Sequence, residues 1–458
     1  MSENYKGTIV KISNIRKHDN ADRLQCTNIF GNNVVVGLNT QIGDLGIFFP
    51  VETALSAGFM YENNLSTNSE LNKDKTSKGY FGSHGRVKAQ TFRGEKSMGF
   101  WLPINSLNYL NVPHETLKEG FELDEWNGHR ICSKYIPRNT TTPGTGKRNL
   151  GKTYKKKESK IIPGQFKFHY DTAQLGKNIH RIQPNDIISI SWKMHGTSAI
   201  AANILCKNPR SKTLRFFSWL SEKIAKKPMY NDTYQYVYAS RKVVKNEFIE
   251  DKKHYYSYDL WTEVGKEQFE GKLHRGESVY YEIVGYTKDG GMIQKGFDYK
   301  CEPYTYKVYV YRITNTSIDG LNTIDLSWGQ LKERCKELGV DHAPEIYYGK
   351  AKEIGVFTGD EPGNTIEEKF QGYLLNYLQE VYVHDQDSQF CNNKVPEEGI
   401  VVRKEGLILE AYKLKSFRFL EYESKQLDEN IVDIETSQSE ALDELAEQAQ
   451  ELNMGYDN

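Results

Sequence analysis

The chain has 458 residues, enough for two or three domains, and a net charge of −1 that by itself designates no partner. Its six cysteines are scattered with no Cys-x-x-Cys pair, which excludes a disulfide framework and a structural zinc site. The N-terminus lacks an apolar leader and no stretch reaches ~18 apolar residues, so a soluble, cytoplasmic protein with no membrane partner is expected.

Residues 6–105 read as all-β. Short alternating runs (Thr8 to Ile15, Leu24 to Phe30, Asn33 to Leu38, Leu45 to Val51, Arg86 to Phe92, Gly99 to Ile104) are separated by Gly, Asn and Asp turns. That spacing fits a small closed barrel of the OB type. The stretch Lys17 to Leu24, with Ser97 to Trp101, resembles strand-end signatures of OB-fold RNA-binding modules. Glu62 to Ser83, rich in Asn, Ser, Lys and Gly, reads as a long mobile loop on the barrel. Residues 137–160 form a polar Gly/Pro linker, strongly basic from Lys147 to Lys160.

Beyond Ile161 the pattern alternates strands with a few helices. Ser327 caps a predicted helix through Leu338, ended by Gly339; Thr365 and Glu368 form a capping box for a helix to about Val381. Phe370, Tyr373, Leu374, Tyr377 and Leu378 make one apolar stripe on the latter. The stretch after Gln426 carries acids but no Lys or Arg, with a sparse helix expected over Ser439 to Leu452.

Lys193 follows the apolar run Ile187 to Ile190, and His195-Gly196 turns the backbone into a second apolar strand, Ala199 to Leu205. A lysine at such a strand end, partly desolvated, can serve as a nucleophile. A lone Lys-x-His-Gly match is more often a surface lysine before a hairpin. Charged residues in later strand-like runs add to it: Arg241 at a strand edge, Glu282 within Ser278 to Tyr286, and Glu398 before Gly399. Lys413 and Lys415 sit at i and i+2, so on one face of a strand. A carboxylate buried in such a run needs a partner or a metal.

Taken in order, these segments resemble the covalent nucleotidyltransferases, the superfamily of polynucleotide ligases and mRNA capping enzymes. The matching segments are Lys193-Met-His-Gly196, Ser240-Arg241, Tyr281-Glu-Ile-Val-Gly285, Val308-Tyr-Val-Tyr311, Glu398-Gly-Ile-Val401 and Lys413-Leu-Lys415. The resemblance implies that Lys193 attacks the α-phosphorus of ATP to become lysyl-AMP. It implies nucleotide-binding roles for His195, Gly196, Arg241, Glu282, Tyr311, Lys413 and Lys415. Tyr311 would stack on adenine, and Arg241 and the two lysines would hold phosphates. Glu282 and Glu398 would serve a Mg²⁺ or Mn²⁺ ion. A neutral amine is needed for attack, and neighbouring cations with low solvation would favour it.

Histidine at position 195, where DNA ligases and capping enzymes usually carry aspartate, points to RNA ligases. The N-terminal barrel, Pro163 to Leu175 and Met292 to Tyr299 are similar to the family typified by the Deinococcus and Naegleria enzymes. The expected protein is thus α+β: an OB-type barrel followed by a nucleotidyltransferase domain of antiparallel sheets with flanking helices. The expected division is 1–136 OB-like RNA-binding domain, 137–160 basic linker, 161–424 catalytic domain and 425–458 acidic tail. The expected activity is ATP-dependent ligation by a monomer of RNA ends, at a nicked duplex or paired ends, with DNA ligation or GTP-dependent capping as the alternative.

Overall fold

The computed structural model describes residues 5–113, 115–136, 160–169, 172–207, 232–245 and 256–429. Most of the basic linker and the helix expected over Ser439 to Leu452 lie outside the described residues. The fold is α+β, with sheets that are antiparallel apart from two short parallel pairings. No described helix is long and apolar enough to cross a membrane.

The N-terminal region is built from short strands whose turns are set by local chemistry. Leu24–Ile29 and Asn32–Gly37 pair through the two-residue loop Phe30-Gly31, with φ of 53° and 79°. Ala89–Phe92 and Glu95–Met98 use Arg93-Gly94 in the same way, with φ of 48° and 98°. Positive φ at both loop residues matches the strands' right-handed twist, which is why glycine closes each hairpin. A four-stranded sheet runs in the order Glu122–Leu123, Gly7–Lys11, Leu45–Phe49, Phe100–Pro103. Ile9, Ile47, Phe49, Phe59 and Leu107 form the core beneath it.

Backbone pairing among the described residues does not close these strands into the expected barrel; they form separate small sheets. One reason lies between Asn32–Gly37 and Glu95–Met98. There the Ser97 hydroxyl accepts from Val35 N at 3.1 Å, and the Asn33 amide donates to Lys96 O. Side chains occupy the seam where a ladder would have continued. The 62–83 segment also departs from the expected mobile loop. Asn72 is fully buried, accepts from Ser66 N and donates to Ser66 O and Ser77 O, each at 2.9 Å. Leu65 and Phe81 anchor the segment's ends in the core.

The remainder contains two larger sheets. One has five strands in the order Ala173–Gln174, Glu410–Lys415, Gly399–Lys404, Ile187–Trp192, Glu345–Lys350. The other runs Asp232–Ser240, Thr197–Lys207, Glu277–Gly285, Tyr306–Thr316, Thr323–Asp325, with Asp341–His342 beside the fourth strand. The helix Trp328–Leu338 starts at Ser327 with a complete capping box to Gln330 and stops at Gly339, whose φ is 70°. It packs with the helix Leu260–Phe269 on the six-stranded sheet. The helix Ile366–Tyr382 covers the five-stranded sheet, burying Phe370, Leu374 and Leu378 completely. Each such side chain contributes roughly 1.5–3 kcal/mol.

A last helix, Phe417–Asp428, ties the N-terminal region to these sheets. Arg86 donates to Ser424 O at 2.6 Å, and Lys88 pairs with Asp428 at 2.8 Å. Gln379, on the helix Ile366–Tyr382, donates to Gly31 O at 2.8 Å.

Candidate active site

The two larger sheets meet where the chain leaves Trp192 and enters Thr197. Trp192 is opposite Ile400, and Gly399 is opposite Lys415, so three adjacent strands bring Lys193, Glu398 and Lys415 to one end of the sheet. Lys193 N donates to Gly399 O at 2.9 Å, which fixes the backbone at the point where the side chain emerges. Gly196 then passes against the second sheet. A Cβ there would sit 2.2 Å from Ile283 O and 2.7 Å from Val284 Cγ1, so only glycine permits the approach. Its N–H donates to Glu282 Oε1 at 3.0 Å, and its carbonyl accepts from Gln294 at 2.7 Å.

His195 takes a packed position. Its ring meets Phe297 and Phe419 edge-on at centroid distances of 4.7 and 5.0 Å, and its backbone N–H donates to the buried Tyr299 hydroxyl at 2.5 Å. Tyr311 is set by a bulge: Tyr281 pairs with Val310 and Tyr280 with Arg312, leaving Tyr311 as the extra residue. Bulges re-aim side chains. Here the Tyr311 hydroxyl sits 2.8 Å from Ser198 Oγ and the ring lies 5.2 Å from His169.

A cavity of about 420 Å³ is lined by Lys193, His195, Gly196, Arg241, Glu282, Tyr311, Glu398, Lys413 and Lys415. Every site residue expected from the sequence therefore borders one space. The N-terminal region contributes Glu52, Met98 and Lys134 to the same wall.

Charge is concentrated around Glu398, whose side chain is 2 % exposed. Its Oε1 lies 2.8 Å from Lys193 Nζ and 3.5 Å from Lys415 Nζ. Burial opposes its ionisation, but Lys193 and then Lys415 outweigh burial and hold the carboxyl below its usual range. Lys415 also chelates Glu423, at 2.8 and 2.9 Å. Burial disfavours the Lys415 ammonium, yet Glu423 and Glu398 raise its pKa above the ordinary lysine value. The surroundings of Lys193 thus differ from the expected cluster of cations, because a buried carboxylate touches the amine. The anion is there because Glu398 ends the loop that enters the strand adjoining Ile187–Trp192.

Other residues at the site were not foreseen. Glu423 follows Lys415 by eight positions, across a strand-to-helix turn, and nothing local marks it. Gln294 and Tyr299 lie within the Met292 to Tyr299 segment that carried the family likeness, but their contacts to Gly196 and His195 are tertiary. Ser198 is an unremarkable strand residue until Tyr311 is placed beside it.

No protein-family model matches the chain, and no curated protein does. Solved structures of the Naegleria gruberi RNA ligase do align with it. The complex with PPi aligns at a TM-score of 0.56 and 16% identity, covering 92% of this chain and 98% of that one. A mutant with ATP and Mn aligns at 0.55 and 16% over the same shares. A mutant with AMP and Mn aligns at 0.54 and 15%, over 91% and 98%. The protein has the fold of this RNA ligase along nearly its whole length.

Proposed function

We propose that the protein is an ATP-dependent RNA ligase that joins 3′-OH and 5′-phosphate ends, at nicks or paired ends, through a lysyl-AMP intermediate. The observation that carries this reading is the convergence of Lys193, Arg241, Glu282, Glu398, Lys413 and Lys415 on one cavity. The shared fold with an RNA ligase solved with ATP, AMP, Mn and PPi supports it.

In the first step Lys193 Nζ forms a bond to the α-phosphorus, and pyrophosphate leaves with the electron pair of the broken P–O bond. The amine must give up its proton to solvent before it attacks, and the Glu398 carboxylate in contact with it at 2.8 Å orients it. Arg241, Lys413 and Lys415 offset the phosphate charge, with Tyr311 against the base. AMP then passes from Lys193 to the 5′-phosphate, which breaks the P–N bond and frees the lysine. Finally the 3′-OH attacks that phosphate, the phosphodiester forms and AMP departs.

The residues present fit a hard divalent ion. Glu398 Oε2 is buried with no hydrogen-bond partner, and Glu282 adds a second carboxylate at the cavity wall. No group of three or more His, Cys, Asp or Glu able to hold a metal occurs among the described residues. One or two carboxylates plus substrate phosphates suit Mg²⁺ or Mn²⁺ and not a protein-caged ion. When bound, such an ion neutralises phosphate charge in the displacement. Glu398 and Glu282 would hold it.

Residues 1–136 are proposed as an OB-type module gripping RNA and 161–424 as the catalytic unit, in an intracellular monomer. The test is sealing of a nicked duplex with RNA ends. Joining with ATP and Mg²⁺ is expected. Joining confined to DNA ends would favour a DNA ligase, and transfer of GMP from GTP to a 5′-diphosphate end would favour a capping enzyme.

A further inference from the structure

A second cleft, of about 460 Å³, opens on the N-terminal region and shares no lining residue with the catalytic cavity. The two are separated by the thickness of one strand end: Ser97 and Gly99 line the cleft, whereas Met98 between them lines the cavity. Alternation along a strand sends successive side chains to opposite faces.

The same alternation builds the floor of the cleft. Lys88, Gln90 and Phe92 all line it, placing an amide and an aromatic ring in one row along Ala89–Phe92 with a cation just before the strand. Their spacing is about 6.8 Å per pair of residues, a step an unstacked single strand can match. Tyr80 stands over the row. It is 47% exposed, and its ring lies 5.5 Å from Phe92 and 5.3 Å from Phe81. The remaining walls, such as Phe100 and Trp101, are largely apolar.

Charge brackets the row at both ends. Arg93 is exposed in the turn that follows Phe92. Lys88, at the inner end, pairs with Asp428 on the helix that carries Glu423 into the catalytic cavity. One carboxylate, Asp44, lines the rim and accepts from the backbone N–H of Gln41 at 2.8 Å. Stacking rings with a flanking cation are the chemistry of sequence-tolerant single-strand binding.

We propose that this cleft takes unpaired bases of a single-stranded RNA segment that flanks the paired region carrying the end being joined, with Tyr80 and Phe92 as the stacking rings and Gln90 as the hydrogen-bonding group. The proposal rests on the ligase reading in that the strand reaching the cleft is the one whose end occupies the catalytic cavity.

The test measures binding of a fluorescein-labelled oligouridylate by anisotropy, alongside covalent labelling from α-labelled ATP. Tyr80→Ala is expected to weaken RNA binding roughly tenfold, as loss of one stacking ring does. Tyr80→Phe should bind within about twofold of wild type. Gln90→Ala should weaken binding, and Thr91→Ala, on the opposite face of the strand, should leave it unchanged. A bromouridine oligonucleotide cross-linked by light should attach at Tyr80 or Phe92. Wild-type affinity in both Tyr80→Ala and Gln90→Ala, or cross-links mapping elsewhere, would overturn the cleft assignment. Absence of covalent labelling in the wild type would instead sink the ligase reading, whatever the cross-links show.

Discussion

Glu398→Gln keeps the shape of the side chain and removes the one negative charge shared by Lys193 and Lys415. At contacts of 2.8 and 3.5 Å and an effective dielectric near 20, the two attractions amount to roughly 6 and 5 kcal/mol. Desolvation of a fully buried carboxylate offsets most of that, and breaking a buried pair by removing one partner costs about 3–5 kcal/mol. The lower end is expected here, because Lys415 keeps Glu423 at 2.8 and 2.9 Å and Lys193 is partly solvated. The assay is urea denaturation of wild type and variant from pH 8 down to pH 3. The Glu398 carboxyl is held below its ordinary value of 4.5. Its stabilisation is therefore fully present above about pH 4.5 and is lost as pH falls through the lower folded value. The gap between wild type and variant should be about 3 kcal/mol at pH 7 and should shrink below pH 4.5. A gap near zero at pH 7, or one that stays constant across the acid range, would refute the idea that Glu398 is the charged hub of this site.

Three further outcomes are expected. Gly196→Ala should lower the melting temperature and cost about 1–3 kcal/mol or more, since its Cβ would lie 2.2 Å from Ile283 O; an unchanged melting curve would show that the sheets do not meet there. Glu52, pushed up to about 7 chiefly by burial, should contribute a stability that declines as pH rises from about 4.5 through 7, and calorimetry should find that slope flattened in Glu52→Gln. Asn72→Ala leaves the buried Ser66 N–H without its acceptor, at about 1–3 kcal/mol, so limited proteolysis should begin to cut within 62–83, where the wild type resists.

Legibility in the sequence followed the range of the interactions. Ser327 and Gly339 delimit their helix as read, because caps and a left-handed stop are local chemistry. The Thr365 helix also begins as read, although Glu368 returns to Asn364 N and not to the Thr365 backbone. Lys413 and Lys415 share a face because a strand alternates, and both reach the cavity. Tyr311 is different: its pairing slips by one residue against Tyr280 and Tyr281, and no alternation pattern reveals a bulge. The backbone ladder does not run on round the expected barrel for a similar reason, since which short strands pair is decided by contacts such as Ser97 to Val35 N. Polar composition misled at 62–83, where Asn72 spends its polarity on buried backbone groups and not on water. The Lys193–Glu398 contact joins residues 205 positions apart, so the sequence could name both groups without showing that they touch.

The most direct test of the account is the chemistry at Lys193 itself. The protein is incubated with α-labelled ATP and Mg²⁺, denatured, digested and mapped by mass spectrometry. Label is expected on the peptide containing Lys193, bound through an acid-labile P–N bond, and absent from Lys193→Ala. A folded wild-type protein that binds ATP yet carries no covalent label, or one labelled as strongly in Lys193→Ala, would contradict it.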